Sequence, residues 1–361
     1  MRRRVEDFHD GAKDGLEPLE SLDLNAIEDF DEMLRAMGRT AFGGRSLGEA
    51  AEVLAAMVQD PEVTIVGSFS GAMSVAKMGL LLCDMVDRGW LDIVITTGAL
   101  VAHGFVENLG RAHYKHPPHR SDQELYRQGY NRIYDTLEME SNLDYVEAVV
   151  REVLGGMDNQ EVWASEIFCR ELGRYLAEKT DHPGLLRNAY LKGVPVYIPA
   201  FTDSELALDL AGFMVNEALA QGEKLPQALS SMSFKFNPFL DLGSYAQRVI
   251  EAKKLGIFTV GGGVPRNWAQ QMAPYLELLH ARLGLTLPEA RFRYGVRLCP
   301  EPSHWGGLSG STYREGVSWG KFLAAEDGGR YAEVYCDATI SWPLILKAVS
   351  QRLEKGEGAG E

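Results

Sequence analysis

From residue 63 onward, short β-branched runs alternate with longer amphipathic segments. Each run ends in small or polar residues, and the segment that follows has apolar positions at helical spacing. Strands alternating with helices are typical of an α/β fold whose mostly parallel sheet has helices on both faces. Strands are predicted at residues 63–67, 93–97, 194–199, 257–260 and 332–335, and helices are predicted to begin near residues 72, 100 and 339.

The first sixty residues follow a different pattern. Apolar side chains between residues 24 and 37 recur at helical spacing, which predicts a helix there. We expect residues 1–60 to form an arm and helices that pack on one main domain of residues 61–353. Residues 354–361 are rich in Gly and Glu and are predicted to be a flexible tail.

Charge and composition narrow the class of protein. The chain has 36 basic and 51 acidic side chains, which gives a net charge of −15. This charge repels phosphate backbones, so nucleic acid is not expected as a partner. No stretch approaches the roughly 20 apolar residues that span a bilayer, and the N-terminal arginines precede no apolar signal core. We therefore expect a cytoplasmic protein with no membrane contact.

The ends of the predicted strands carry the candidate binding residues, because ligands of open α/β sheets bind beyond the carboxyl ends. The glycines at 261–263, followed by Pro265, would leave a helix N-terminus open to a phosphate, although the same spacing also suits a plain tight turn. Asp203 and Asp337 could bind ribose hydroxyls or a substrate ammonium. Capping of the next helix is the commoner role for such an aspartate and is favoured by residue type.

His113, His116 and His119 could bind a divalent metal. Pro117 and Pro118 interrupt any helix that would align them, and no carboxylate or cysteine accompanies them in sequence. The four cysteines are far apart and form no C-x-x-C pair, so they are predicted to be reduced. A solvated histidine loop and no metal site are therefore predicted.

Trp319 and Lys321 follow a loop of Gly and Ser at 306–311. A lysine packed against an indole in a dry cleft would have a lowered pKa, and its neutral amine could form an imine with a carbonyl or iminium carbon. An exposed lysine after a buried tryptophan is the ordinary alternative.

Three segments together resemble the deoxyhypusine synthase family: Gly-Val-Ser-Trp-Gly-Lys at 316–321, the glycines at 261–263 and Tyr-Cys-Asp-Ala-Thr at 335–339. The resemblance extends over about residues 40–350. It implies a Rossmann-like fold, a homotetramer with active sites at subunit interfaces, and bound NAD. It also implies a reaction in which the aminobutyl group of spermidine passes through a lysine imine to an acceptor amine.

The resemblance assigns roles residue by residue. Lys321 would be the imine-forming nucleophile, while Trp319 and Glu315 would contact the polyamine. The positions that match NAD contacts in the family are Asp203, Gly262, Gly263 and Asp337, with the more diverged Ser70, Ser74 and Thr97.

The polyamine site departs from the family pattern. Asn267 stands where protein-modifying members have a histidine. Ala102 and His103 replace an acidic pair of the family, and Leu308 replaces a further acid. Strict alignment from Asp203 also places Leu208 at the position of a second polyamine-binding acid, although Asp209 is the next residue. These changes resemble the bacterial deoxyhypusine synthase-like branch, and we expect Asn267 and His103 to contact substrate.

The resemblance leaves three functions open. The first is an NAD-dependent aminobutyltransferase between small polyamines, in which putrescine accepts the group and homospermidine forms. The second is a deoxyhypusine synthase that modifies a protein lysine. The third is an inactive NAD or polyamine sensor, which would have no need of Lys321.

Overall fold

The computed structural model describes residues 3–158, 160–230 and 233–357. The strands of this part are β1 Val63–Phe69, β2 Ile93–Thr96, β3 Tyr114–Lys115, β4 Tyr130–Ile133, β5 Thr136–Met139, β6 Val162–Trp163, β7 Val196–Tyr197, β8 Lys235–Phe236, β9 Lys254–Val260, β10 Phe292–Leu298 and β11 Arg330–Val334. Its α-helices are α1 Phe30–Gly38, α2 Phe42–Gln59, α3 Gly79–Asp87, α4 Gly98–Asn108, α5 Asp122–Arg127, α6 Glu140–Gly155, α7 Ser165–Lys179, α8 Leu185–Lys192, α9 Glu205–Ala220, α10 Phe239–Glu251, α11 Gly263–Gln270, α12 Met272–Leu283, α13 Tyr313–Ser318 and α14 Ala338–Glu357.

The central sheet has the strand order β11-β10-β9-β1-β2-β7. Every neighbouring pair in it is parallel. The chain runs outward from β1 through β2 to β7 on one side, and from β9 through β10 to β11 on the other. The order therefore reverses between β1 and β9, where open α/β sheets bind ligands. The predicted α/β fold with a mostly parallel sheet is confirmed.

Apolar side chains of the central strands point alternately to two cores. Ile65 of β1 packs in the core that includes Trp342 of α14, whereas Val66 packs in the core that includes Tyr245 of α10. Trp342 is fully buried and stacks on Phe69 at a centroid distance of 5.5 Å. A strand buried on both faces needs apolar residues at consecutive positions, which explains the unbroken apolar runs of the sequence.

The N-terminal region contributes helices to the first of these cores. The helix predicted from residue 24 begins instead at Phe30, because the Asp29 side chain accepts a hydrogen bond from Glu32 N and caps it there. In α1, Asp31 is buried and pairs with Arg352 of α14 at 2.7 Å. The α14 helix itself runs to Glu357, so the predicted tail is helical at its start, and residues 358–361 lie outside the described residues.

The observed elements differ from the predicted ones in two further places. No helix begins near Ala72, since residues 73–77 form turns and α3 starts at Gly79. The strand β10 was not predicted, because arginines interrupt its apolar run. One of them, Arg297, is nevertheless buried, because Glu333 of the neighbouring strand lies 3.0 Å from it.

A small antiparallel sheet of order β3-β5-β4 follows α4 in the chain. It places Glu138 of β5 in a buried position. None of the described helices is apolar enough over a sufficient length to cross a bilayer.

The contact between α1 and α2 generates a stability prediction. A Cβ at Gly48 would lie 2.4 Å from Leu34 O and 2.5 Å from Gly38 N. We expect Gly48→Ala to push the helices apart and to lower the free energy of unfolding by about 1–3 kcal/mol. Urea denaturation measures this loss. The matched control is Gly43→Ala in the same helix, where no atom lies within 4 Å of the added methyl, and its stability should not fall.

Candidate functional site

A cleft of about 180 Å³ opens at the carboxyl ends of the central strands, across the point where the strand order reverses. Because β1, β2, β7 and β9 are parallel, the segments that follow them meet at one edge. The cleft is lined by Ser70, Thr96, Thr97, Gly98, Ala200, Asp203, Gly262, Gly263, Val264, Pro265 and Ser309. Of the residues predicted to bind NAD, this edge therefore brings together Ser70, Thr97, Asp203, Gly262 and Gly263.

The turn after β9 requires glycines, both for its backbone conformation and for its close contact with a neighbouring loop. Gly261 and Gly263 have φ angles of +77° and +66°, which favour glycine. A Cβ at Gly262 would lie 2.5 Å from Ser309 Cα, so no larger residue fits there. The turn leads directly into α11, whose N-terminus has no side-chain cap. Its unpaired N–H groups suit an anion such as a pyrophosphate.

Asp203 stands free at the cleft. The helix after it, α9, is capped by Ser204, whose Oγ accepts from Ala207 N. The capping role favoured from residue type is therefore wrong for Asp203. Within the described residues no protein group bonds or pairs with its exposed carboxylate. The carboxylate is available to accept hydrogen bonds from ligand hydroxyls.

Two hydroxyls connect the strand ends around the cleft. Ser70 Oγ donates to the carbonyl of Gly262, which joins the ends of β1 and β9. Thr97 Oγ1 donates to the carbonyl of Gly71 at 2.9 Å and also caps α4. These bonds hold the loops that form the cleft walls.

The structure does not bring Ser74 and Asp337 to the cleft lining. Ser74 is buried, and its Oγ donates to the carbonyl of Leu100 at 2.9 Å. Asp337 caps α14, because its Oδ1 accepts from the backbone N of Thr339 at 2.7 Å. The predicted capping role is thus confirmed for Asp337. Contact of Ser74 and Asp337 with NAD stays a prediction.

Lys321 lies beside the same helix that begins at the glycine turn. Its Nζ donates to Asn267 Oδ1 at 3.2 Å and lies 5.8 Å from the centroid of the Trp319 ring. Asn267 follows Gly263 by four residues in α11, so the two lie on one helix face about 6 Å apart along the axis. The lysine amine is thus about one helical turn from the cleft.

The surroundings of Lys321 favour a neutral amine. Burial lowers the pKa of Lys321, and the nearby Arg266 guanidinium lowers this pKa further, against the opposing effect of Glu315. The backbone is fixed as well, since Lys321 O accepts from Phe292 N at 2.9 Å. A positioned amine with a lowered pKa is the arrangement that imine chemistry needs.

A family model for deoxyhypusine synthase matches residues 32–349. This chain belongs to the deoxyhypusine synthase family. Among its relatives, a probable deoxyhypusine synthase 1 of Methanosarcina acetivorans is 30% identical over 97% of this chain and 99% of its own. A deoxyhypusine synthase-like protein of Chlorobaculum tepidum is 32% identical over 87% of this chain and 84% of its own.

The fold agrees with this assignment. The structure of a candidate deoxyhypusine synthase from Entamoeba histolytica superposes with a TM-score of 0.57 at 12% identity, over 91% of this chain and 96% of the other. At that identity the likeness concerns the fold alone. The α/β architecture is therefore that of the deoxyhypusine synthase family, and the family's name is that of an enzyme.

The other residues expected at a deoxyhypusine synthase substrate site have different surroundings. Trp319 is 63% exposed and Glu315 is exposed, so one side of the lysine is open in a single chain. His103 is buried, and its Nδ1 pairs with Glu138. Its Nε2 lies 3.8 Å from Glu205 Oε1. Direct contact of His103 with substrate stays a prediction.

The predicted solvated histidine loop is wrong for His113. This side chain is buried, 3.2 Å from Glu138 and 3.5 Å from Glu107. His119 is exposed as predicted, while His116 is half-buried. The carboxylates that accompany His113 come from α4 and β5, so no local pattern could have shown them.

Sequence reasoning also missed two buried arginines and the serine they hold. Arg266 and Arg297 are almost fully buried, and both donate to the carbonyl of Ser309, which lines the cleft. Arg297 is also paired with Glu333. Arg266 directly precedes Asn267 in the sequence, and this proximity to a predicted site residue is the only sequence feature that could have indicated its role.

Asn267 allows a test of the lysine's environment in this deoxyhypusine synthase homologue. Asn267→Asp places a carboxylate about 3 Å from the Lys321 amine with little change of shape, so the pKa of Lys321 should rise by roughly 1 unit or more. Acylation of Lys321 near pH 9, followed by peptide mass spectrometry, should slow by about tenfold. The exposed Lys347 is the internal control, and equal slowing there would contradict the interpretation.

Proposed function

We propose that this protein is an NAD-dependent aminobutyltransferase that moves the aminobutyl group of spermidine through an imine on Lys321 to putrescine. The products are homospermidine and 1,3-diaminopropane. The observation that carries the proposal is the half-buried Lys321 amine, bonded to Asn267 about one helical turn from the cleft.

The cleft residues fit a dinucleotide. Gly262 and Gly263 allow close approach of a pyrophosphate to the α11 N-terminus, and the free Asp203 carboxylate suits ribose hydroxyls. Bound NAD would accept a hydride from the donor amine and return it after transfer. Ser70 and Thr97 would keep the walls in place through their bonds to Gly262 and Gly71.

Lys321 would take part in two exchanges, as the nucleophile in the first and as the leaving group in the second. Its neutral amine adds to the oxidised donor, a C–N bond forms to Lys321, and the bond to 1,3-diaminopropane breaks. The amine of the acceptor then attacks the same carbon and releases Lys321. The lowered pKa of Lys321, caused by burial and by Arg266, supports the first step because a protonated amine cannot attack.

Residues around the lysine favour a small acceptor. Asn267 contacts Lys321 at the position where protein-modifying members have a histidine. Its amide cannot take a proton from an acceptor amine as that histidine could. Glu315 provides a carboxylate and Trp319 an indole face for an ammonium group. The acceptor would therefore be held by few charges, as suits a diamine.

Transfer to a protein lysine is the alternative. The exposure of Trp319 supports it, because a protein side chain could reach Lys321 from that open side. The same exposure also suits a homotetramer in which a second subunit covers the site. A cytoplasmic location is part of the proposal, since the small polyamines it names are soluble metabolites.

The first prediction concerns NAD. Asp203→Asn should weaken NAD binding by about tenfold with the free energy of unfolding unchanged, because its carboxylate has no structural partner. Asp337→Ala should lower that free energy by about 1 kcal/mol through loss of the cap, whereas Asp337→Asn can still cap and should not. Calorimetric NAD titration and melting curves measure both effects. Normal NAD affinity in Asp203→Asn would remove this residue from the site.

The second prediction concerns the reaction. With NAD and spermidine, adding putrescine should yield homospermidine and 1,3-diaminopropane by chromatography. Lys321→Arg should fold and bind NAD but lose transfer, because a guanidinium stays protonated. Lys347→Arg, at an exposed site, is the matched control.

Borohydride should trap the aminobutyl adduct on the Lys321 peptide. Labelling of a hypusine-precursor protein without labelling of putrescine would favour the protein-modifying alternative. Failure of both acceptors with normal NAD binding would favour a sensor.

A further inference from the structure

Three buried side chains from separate elements meet beyond α4. His103 lies in α4, His113 precedes β3, and Glu138 lies in β5. Each offers one ligand atom, and these atoms all lie within 4.8 Å of one another. None of the three lines the cleft, so the cluster is separate from the proposed NAD site.

The separation of two of these atoms fits a shared ion better than a hydrogen bond. His113 Nε2 and Glu138 Oε1 are 3.2 Å apart and buried, yet neither makes a hydrogen bond. Two ligands of a tetrahedral zinc ion, each about 2.0–2.1 Å from the metal, lie about 3.3 Å apart. The distance between His113 Nε2 and Glu138 Oε1 thus matches that between two ligands of one zinc ion, whereas their orientation does not suit a hydrogen bond.

Two further carboxylates lie near the outer nitrogens of the imidazoles. His113 Nδ1 is 3.5 Å from Glu107 Oε1, and His103 Nε2 is 3.8 Å from Glu205 Oε1. Metal-binding histidines commonly have a carboxylate beside their second ring nitrogen, and Glu107 and Glu205 lie in that place. Lys77 Nζ, at 3.1 Å, lies nearer to His113 Nδ1 than Glu107 does. The other nitrogen of each ring faces Glu138.

The charges around the cluster also favour a cation. Glu138, Glu107 and Glu205 face the two imidazoles. Among the described residues, the ammonium that contacts them is that of Lys77, 3.1 Å from His113 Nδ1 and paired with Glu107. With neutral imidazoles these groups sum to a charge of −2. A divalent ion would neutralise the cluster, and without one the buried Glu138 carboxylate has an unpaired oxygen.

We infer that His103, His113 and Glu138 bind one divalent transition-metal ion, with Zn²⁺ the best match to two imidazoles and a carboxylate. The ion joins α4, whose first residue lines the cleft, to the small sheet that carries Glu138. It leaves a fourth position for solvent or for the second carboxylate oxygen. The assignment uses neither Lys321 nor a residue of the cleft lining. Of the predicted substrate contacts it involves His103 alone.

Metal titration of the untagged full chain tests this inference. The protein is stripped with a chelator and titrated with Co²⁺, which should give visible absorption typical of tetrahedral coordination and saturate at one ion per chain. Zn²⁺ should displace the Co²⁺ and raise the melting temperature. Absence of a saturable Co²⁺ signal in the wild-type chain would overturn the assignment.

Variants locate the ion. His113→Ala should weaken Co²⁺ binding by at least about tenfold. His119→Ala, an exposed histidine of the same segment, should bind as the wild type does. Glu138→Gln keeps the side-chain shape and should also lose affinity, which decides the matter if His113→Ala does not fold. Unchanged affinity in a folded His113→Ala or Glu138→Gln variant would contradict the site.

Discussion

The parallel pairing of β9 with β1 is the constraint on which the rest of the site depends. Because both strands run in the same direction, the glycine turn after β9 and Ser70 after β1 meet at one edge. The turn can lie against Ser309 because Gly262 has no Cβ. The α11 helix that starts there then carries Asn267 to the lysine. Sheet register, glycine turn and lysine position are therefore one connected arrangement.

Buried charge fixes the loop that completes this arrangement. Arg266 and Arg297 lie under the carbonyl of Ser309, and Arg297 is neutralised by Glu333. Removing a guanidinium from water is costly unless its N–H groups find partners. The loop carbonyl supplies one such partner. The same Arg266 charge lowers the pKa of Lys321, so the residue that holds the loop also favours the reactive form of the amine.

A second group of buried charges lies around Glu138. Burial raises the pKa of Glu138, but the imidazoles of His103 and His113 outweigh it and bring the pKa to about 2. The carboxylate is therefore ionised. It pairs with His103, which occupies a position where the resemblance to the family predicts an acid.

The sequence by itself determined the α/β class, most of the central strands, the glycine turn and the local association of Trp319 with Lys321. These features follow from residue spacing along the chain. Only the tertiary structure decided that Asp203 is free while Asp337 caps a helix, because the neighbouring Ser204 takes the capping role in one case. It also decided that Asn267 meets Lys321 and that His113 is buried with Glu138. Such contacts join residues far apart in the chain, and burial and long-range partners leave no periodic signal in the sequence.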